Sequence, residues 1–273
     1  MDWIYIIITV LLAILAVYTV LIAPIPVKEM KKYRGARFAH RGLHGEGAAE
    51  NSMTAFRRAK ERGFGIELDV RLSSDGELVV FHDDTLDRVV GISGRVDEYT
   101  ADRLAQMRLS GTEDGIPRFS EVLSEIDGAV PLLVEIKEDA GSSAVSTKAA
   151  EMLSEYKGDF IVESFNPLSL GNIKKKLPQI PRGILSMNYQ RESREKYGKP
   201  LYYALRHLLT NRLCSPSFVA YKHTDADGIS LRAARLMGAV TFAWTVRSAE
   251  DEEAAKKHGF DGVIFENYIP KDE

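Results

Sequence analysis

From Phe38 onward, eight short apolar runs rich in β-branched residues alternate with longer amphipathic stretches, and no linker rich in Gly, Pro or Ser divides them. The runs are Arg37 to Arg41, Gly65 to Leu72, Leu132 to Lys137, Phe160 to Phe165, Gly183 to Ser186, Phe218 to Tyr221, Val240 to Val246 and Gly262 to Glu266. Helical stretches between them include Ser52 to Arg62, with Met53, Phe56 and Ala59 on one face, and Ser143 to Tyr156, Pro167 to Lys176 and Ser248 to His258. Eight βα units predict a TIM (β/α)8 barrel, an α/β fold that a chain of 273 residues can build as one domain. The fifth and sixth strands are weakly marked. Asn188 to Pro216, polar and rich in Arg and Tyr, reads as an active-site flap as readily as a helix. One piece departs from a plain barrel: Ser74-Asp75-Gly76-Glu77 reads as a hairpin turn into Leu78 to Phe81, which returns His82 to the barrel mouth.

Ahead of the barrel, WIYIIITVLLAILAVYTVLIA carries no charge from Trp3 to Ala23. At ~1.5 Å per residue it is long enough to cross a ~30 Å hydrocarbon core, and it reads as one N-terminal transmembrane helix. A cleaved signal peptide normally has a basic start and a shorter apolar stretch, whereas this run follows Met1-Asp2. Pro24 and Pro26 stop the helix, and Lys28, Lys31, Lys32, Arg34 and Arg37 follow with only Glu29 opposing them. The expected organisation is a membrane anchor over 1–27, a basic juxtamembrane linker over 28–36 and a barrel over 37–273, with the barrel in the cytoplasm by the positive-inside rule. A net charge of -3 argues against a nucleic-acid binder that works by neutralising phosphates. The single cysteine, Cys214, excludes an intrachain disulfide and reads as a buried thiol, since no activating pattern surrounds it.

TIM-barrel chemistry lies at the C-terminal strand ends, and there this sequence places His40-Arg41-Gly42, Glu67-Leu68-Asp69, His82-Asp83 and Glu135-Ile136-Lys137. Residues two apart on a strand share a face, so Glu67 with Asp69 and Glu135 with Lys137 point into the mouth. Carboxylates so close repel one another. Two remedies are open: a hard divalent cation, Mg²⁺ or Ca²⁺, held by Glu67, Asp69 and Glu135, or a buried salt-bridge network with Arg41 and Lys137.

The ordered segments HRGLHGEGAAENSMTAF, GIELDVRLSSDGELVVFHDDTLDR, IPRFSEVL, LLVEIK, ESFN, FAWTVRS and DGVIFE resemble the glycerophosphodiester phosphodiesterase family, a TIM-barrel group related in chemistry to phosphatidylinositol-specific phospholipases. The resemblance runs from about Phe38 to about Pro270. It implies that Glu67, Asp69 and Glu135 hold the divalent metal, that His40 and His82 are general acid and base, and that Arg41 and Lys137 clamp the phosphate. Asn51 either bridges the site to substrate or caps the following helix, and Phe165 and Trp244 either line the pocket or pack in the core. His44 lies near the mouth. Two residues depart from the family pattern: Ala49 replaces the usual proline before Glu50-Asn51, and Phe265-Glu266 stands where many relatives have Thr-Asp. Neither departure falls on the expected acid, base or metal ligands. The implied reaction is hydrolysis of a small-molecule or lipid-derived phosphodiester, a glycerophosphodiester, to sn-glycerol 3-phosphate and an alcohol. A lysophospholipase D or phospholipase-type phosphodiesterase acting on membrane lipids, and a non-catalytic membrane-bound sensor, are the alternatives; the sensor predicts loss of an acid, a base or a metal ligand.

Overall fold

A computed structural model of the chain describes residues 2–139, 141–189 and 199–271. Nine strands form one sheet: β1 (Arg37–Ala39), β2 (Gly65–Leu72), β3 (Leu78–Val80), β4 (Leu132–Ile136), β5 (Phe160–Ser164), β6 (Arg182–Ser186), β7 (Phe218–Lys222), β8 (Val240–Val246) and β9 (Gly262–Phe265). All except β3 run parallel, and pairing of β1 with both β9 and β2 closes eight of them into the expected barrel. Around it lie α1 (Asp2–Ile22), α2 (Met53–Glu61), α3 (Asp87–Val90), α4 (Ala101–Ala105), α5 (Phe119–Ile126), α6 (Ala144–Glu155), α7 (Pro167–Lys176), α8 (Lys199–Arg206), α9 (Asn211–Cys214), α10 (Ile229–Leu236) and α11 (Ala249–Lys257). The stretch 188–216, expected as flap or helix, contains α8 and α9; its residues 190–198 lie outside the described residues.

Strand alternation sorts the residues into two layers. Ile66, Leu68, Val70, Leu132, Val134 and Ile136 face the helices and form the outer core, while Phe38, Leu133, Ile161, Leu185, Phe218 and Phe242 fill the barrel. Gly65 and Gly183 leave room for the rings of Phe38 and Phe218, since a Cβ at either would sit 2.6 and 2.0 Å from ring carbons. This large-against-small pairing packs the lower barrel solidly, so polar residues are confined to the mouth.

The hairpin strand β3 has a specific place. Because β1 has three residues, it covers β2 only at Gly65 and Ile66; β3 takes the same edge higher up, with Val80 opposite Val70. Ser73 ties the turn through Glu77, and the chain then delivers His82 above Asp69, whose carbonyl accepts from the Phe81 amide at 2.9 Å.

Residues 28–36, set apart above as a linker, belong to the barrel floor. Lys28–Tyr33 forms a 3-10 helix whose Met30 and Tyr33 are buried among Phe38, Leu133, Phe218 and Phe242. Lys32 pairs with Asp159 and Arg34 with Asp261, both in loops that enter strands from below. Burying two such side chains contributes about 1.5–3 kcal/mol each.

Candidate active site

The first loop, between β1 and α2, is held in an unusual conformation. Arg41 and Gly42 adopt left-handed backbone angles (φ 55° and 78°), and Gly42 is required because a Cβ there would meet Ala55 and Phe56 at 2.9 Å. The turn aims the Arg41 amide at Glu67 Oε2 (2.7 Å), and the Arg41 carbonyl accepts from the Asn51 amide (2.9 Å). Asn51, also left-handed, donates from Nδ2 to Asp69 Oδ2 at 2.8 Å. The capping alternative for Asn51 falls: Ser52 is the cap of α2, its hydroxyl accepting from the Ala55 amide. Asn51 is buried and contacts a carboxylate that the sequence assigns to a metal.

Glu67, Asp69 and Glu135 are buried, and one carboxylate oxygen from each lies within 4.8 Å of the others. Lys137 Nζ reaches Glu135 at 2.6 Å and Asp69 at 3.1 Å, and Arg41 Nε stands 3.5 Å from Asp69. The salt-bridge network is thus real, but too small for the acids it serves. Glu163 adds a fourth buried carboxyl, paired in register with Glu135. Burial first, and repulsion from the neighbouring acids second, push Glu67 and Glu163 well above the usual carboxylate range. Burial likewise raises Glu135 despite Lys137, whereas Lys137, His82 and Arg41 overcome burial and hold Asp69 well below. Asp69 Oδ1 is the oxygen that Lys137 Nζ meets at 3.1 Å, and that ion pair is its counter-charge. Three converging carboxylate oxygens, with more buried acids than cations around them, fit a hard divalent cation.

Each predicted histidine is held through Nδ1 by a carboxylate: His40 by Glu266 at 2.6 Å, His82 by Asp83 at 2.6 Å. Glu266, a departure from the family pattern that puts a charge near the pocket, reaches His40 because strand closure sets the end of β9 beside the end of β1. Burial lowers the His40 imidazole below its ordinary range, while the hydrogen bond from His40, with His44 Nε2 3.6 Å away, holds Glu266 far below its own against the opposing effect of burial. Sequence reasoning also missed Glu50, Arg71 and Arg88. Arg88 bonds both Asp83 (2.6 Å) and Glu50 (2.7 Å), and Glu50 bonds Arg41 (2.7 Å), so one charged chain joins the two histidine loops. Arg71 fixes the His82 carbonyl at 2.9 Å. The signal for these was their place inside the motif segments, Glu50 beside Asn51 and Arg71 and Arg88 in the stretch that carries Asp69 and His82.

A cavity of about 330 Å³ opens beside this cluster, with His82, Glu135 and Lys137 on one wall and Phe165, Met187, Tyr189, Tyr202 and Leu205 on the other. Phe165 lies edge-on to Trp244 at 5.5 Å and under Lys137 at 5.9 Å. Trp244 packs behind it and leaves its indole N–H without a hydrogen bond. A wider groove of about 810 Å³ beyond Glu266, lined by His44, Arg58 and Tyr268, shares no residue with this cavity. Of the three clustered carboxylates, Glu135 lines the smaller one.

Known proteins carry the same pattern. The model of the glycerophosphoryl diester phosphodiesterase family matches residues 40–269. A glycerophosphodiester phosphodiesterase from Caldanaerobacter subterraneus subsp. tengcongensis is 33% identical over 242 residues, 84% of this chain and 93% of that protein. Among solved structures, a phosphodiesterase from Oleispira antarctica in complex with the product sn-glycerol-3-phosphate superposes with a TM-score of 0.72 at 23% identity, covering 87% of this chain and 95% of that one. A glycerophosphodiester phosphodiesterase from Thermotoga maritima superposes at 0.65 with 27% identity, over 85% and 94%. With the barrel, the motif order and these relatives in agreement, the chain belongs to the glycerophosphoryl diester phosphodiesterase family.

Proposed function

We propose that this phosphodiesterase hydrolyses glycerophosphodiesters to sn-glycerol 3-phosphate and an alcohol, using a divalent cation and two histidines. The observation that carries the reading is a buried carboxylate trio flanked by two imidazoles, each fixed through Nδ1 so that Nε2 is free for substrate. Glu67, Asp69 and Glu135 hold Mg²⁺ or Ca²⁺, which when bound neutralises phosphoryl charge. Lys137 and Arg41 contribute fixed positive charge to the phosphate, and Asn51 keeps Asp69 in place. His40, neutral because burial disfavours its charged form, takes the proton from the attacking hydroxyl; His82, oriented by Asp83, gives one to the leaving alkoxide. The hydroxyl belongs either to the glycerol, which gives a cyclic phosphate, or to water. Phe165, backed by Trp244, supplies an apolar wall for the glycerol carbons.

A lysophospholipase D activity is the second reading, favoured by the wall of Met187, Tyr189, Tyr202 and Leu205. The sensor alternative has no support, since no acid, base or metal ligand of the motif is replaced. A panel of glycerophosphocholine, glycerophosphoethanolamine, glycerophosphoglycerol and lysophospholipids, with and without chelator, tests both substrate readings. Release of glycerol 3-phosphate that persists in chelator sinks the metal role.

The same proposal places the chain on a membrane through residues 1–27, with the catalytic domain over 37–273 in the cytoplasm. Trp3–Ile22 is a helix long and apolar enough to span, with a mean hydropathy of 2.8. A reporter fused after Glu273 and active only outside the cell overturns that topology.

A further inference from the structure

How α1 joins the barrel bears on which way the active site points. Its C-terminal end starts at the floor: Pro26 lies against Gly238, just below α10, and the Ile25 amide donates to the Pro216 carbonyl ahead of β7. Read backwards, the chain then climbs. The buried Ile22 accepts from Asn211 Nδ2 at 2.8 Å, and the Tyr18 hydroxyl meets Ser230 Oγ at 2.9 Å. Ser230 stands in the first turn of α10, which descends from the mouth to the floor before β8, so Tyr18 is level with the mouth. Beyond it, residues 3–17 are exposed and rise past the catalytic end of the barrel.

Length then sets the depth. Residues 3–17 span roughly 22 Å, short of a ~30 Å hydrocarbon core, whereas the whole apolar run to Ile22 matches it. A bilayer that covers α1 down to Ile22 therefore reaches about 6 Å below the level of Tyr18, an ordinary depth for interfacial protein surface. The side chains at that level suit it. Leu168 at the start of α7, Leu201 and Tyr203 on α8 and Ile229 at the start of α10 are all exposed, from 44% to 70%, and α1 packs on α9 and α10.

We propose that the catalytic mouth faces the bilayer that α1 crosses, with Leu168, Leu201, Tyr203 and Ile229 seated at headgroup depth, so that a lipid-borne phosphodiester enters the pocket from the membrane side. This rests on the anchor reading. The full chain is reconstituted in phosphatidylcholine–phosphatidylglycerol vesicles, and four single variants, Leu201→Cys, Ile229→Cys, Ile14→Cys and Ser124→Cys, are labelled with a fluorophore and exposed to lipid carrying a shallow spin-label quencher. Wild type, whose Cys214 is buried, serves as the blank. The expected result is quenching at 201 and 229 at least threefold stronger than at 124 on α5, and quenching at 14. Quenching at 14 with 201 and 229 no different from 124 overturns the orientation and leaves the anchor standing. No quenching at 14 overturns the anchor and the orientation with it.

Discussion

The two sides of the barrel are built from different material. From β1 to β4 the strand ends carry His40, Arg41, Glu67, Asp69, His82, Glu135 and Lys137, joined by Arg88 and Glu50 into one charged network. At the ends of β6 and β8 the corresponding positions carry Met187 and Trp244, backed by Tyr189 and Tyr202, with Lys222 at the end of β7 between them, and the helices outside hold α1. The contrast has a physical reason. Buried charges are stable only among partners that satisfy them, so they collect on adjacent strands, and the apolar side is left to meet carbon. Glu266 fits the rule, because β9 lies next to β1 in the closed barrel.

Three substitutions and one labelling experiment test this division. His82→Ala, within the charged side, should lower kcat by on the order of 10²–10⁴, with the fold intact by circular dichroism; near-normal turnover removes the acid–base assignment. Glu266→Gln should cost less, on the order of tenfold to a hundredfold, part of what one proton-transfer group contributes. Its pH profile is the sharper readout. His40 works neutral, so activity falls as pH drops through its folded pKa, which burial sets below the ordinary imidazole range; loss of the Glu266 charge lowers that pKa further and moves the acid limb to lower pH. An unmoved limb separates Glu266 from His40.

On the floor, Tyr33→Ala should destabilise by about 3 kcal/mol, lowering Tm by roughly 6–12 °C, while turnover per folded molecule stays within about twofold. A large kcat loss there would mean that floor and mouth are coupled. The smallest effect concerns Cys214, whose thiol burial pushes up to about 12. Its neutral form favours the native state below the thiol's unfolded pKa, and that contribution is lost as pH rises through the folded value. At pH 8 the native chain should resist iodoacetamide and the urea-unfolded chain should react; equal rates contradict the burial.

Much of the barrel was legible because strand alternation is a local property. All eight runs became strands within a residue or two, and Glu67 with Asp69 took one face as period two requires. The hairpin at Ser74 was legible for the same reason. What escaped was set by distance along the chain. Glu266 meets His40 across 226 residues and Arg88 meets Glu50 across 38, and neither spacing has a periodicity to announce it. The basic stretch after Pro26 looked like a linker because its charges outnumber its apolar residues, yet Met30 and Tyr33 alone decide where it packs. Between Asp84 and Pro117 the elements are four or five residues long or shorter, held by a small core of their own around Leu86, Val96 and Leu104, and too short for a helical repeat to show.

The pairing of the last strand with the first also imposes an order in time. At ordinary rates of synthesis the roughly 226 residues between His40 and Glu266 take about 10–45 s to emerge. Throughout that interval the ribosome-bound chain has its leading apolar segment but no carboxylate to orient His40, and no partner for the open edge of β1. The His82–Asp83 pair is complete early in synthesis, whereas the His40–Glu266 pair waits until the final strand is released.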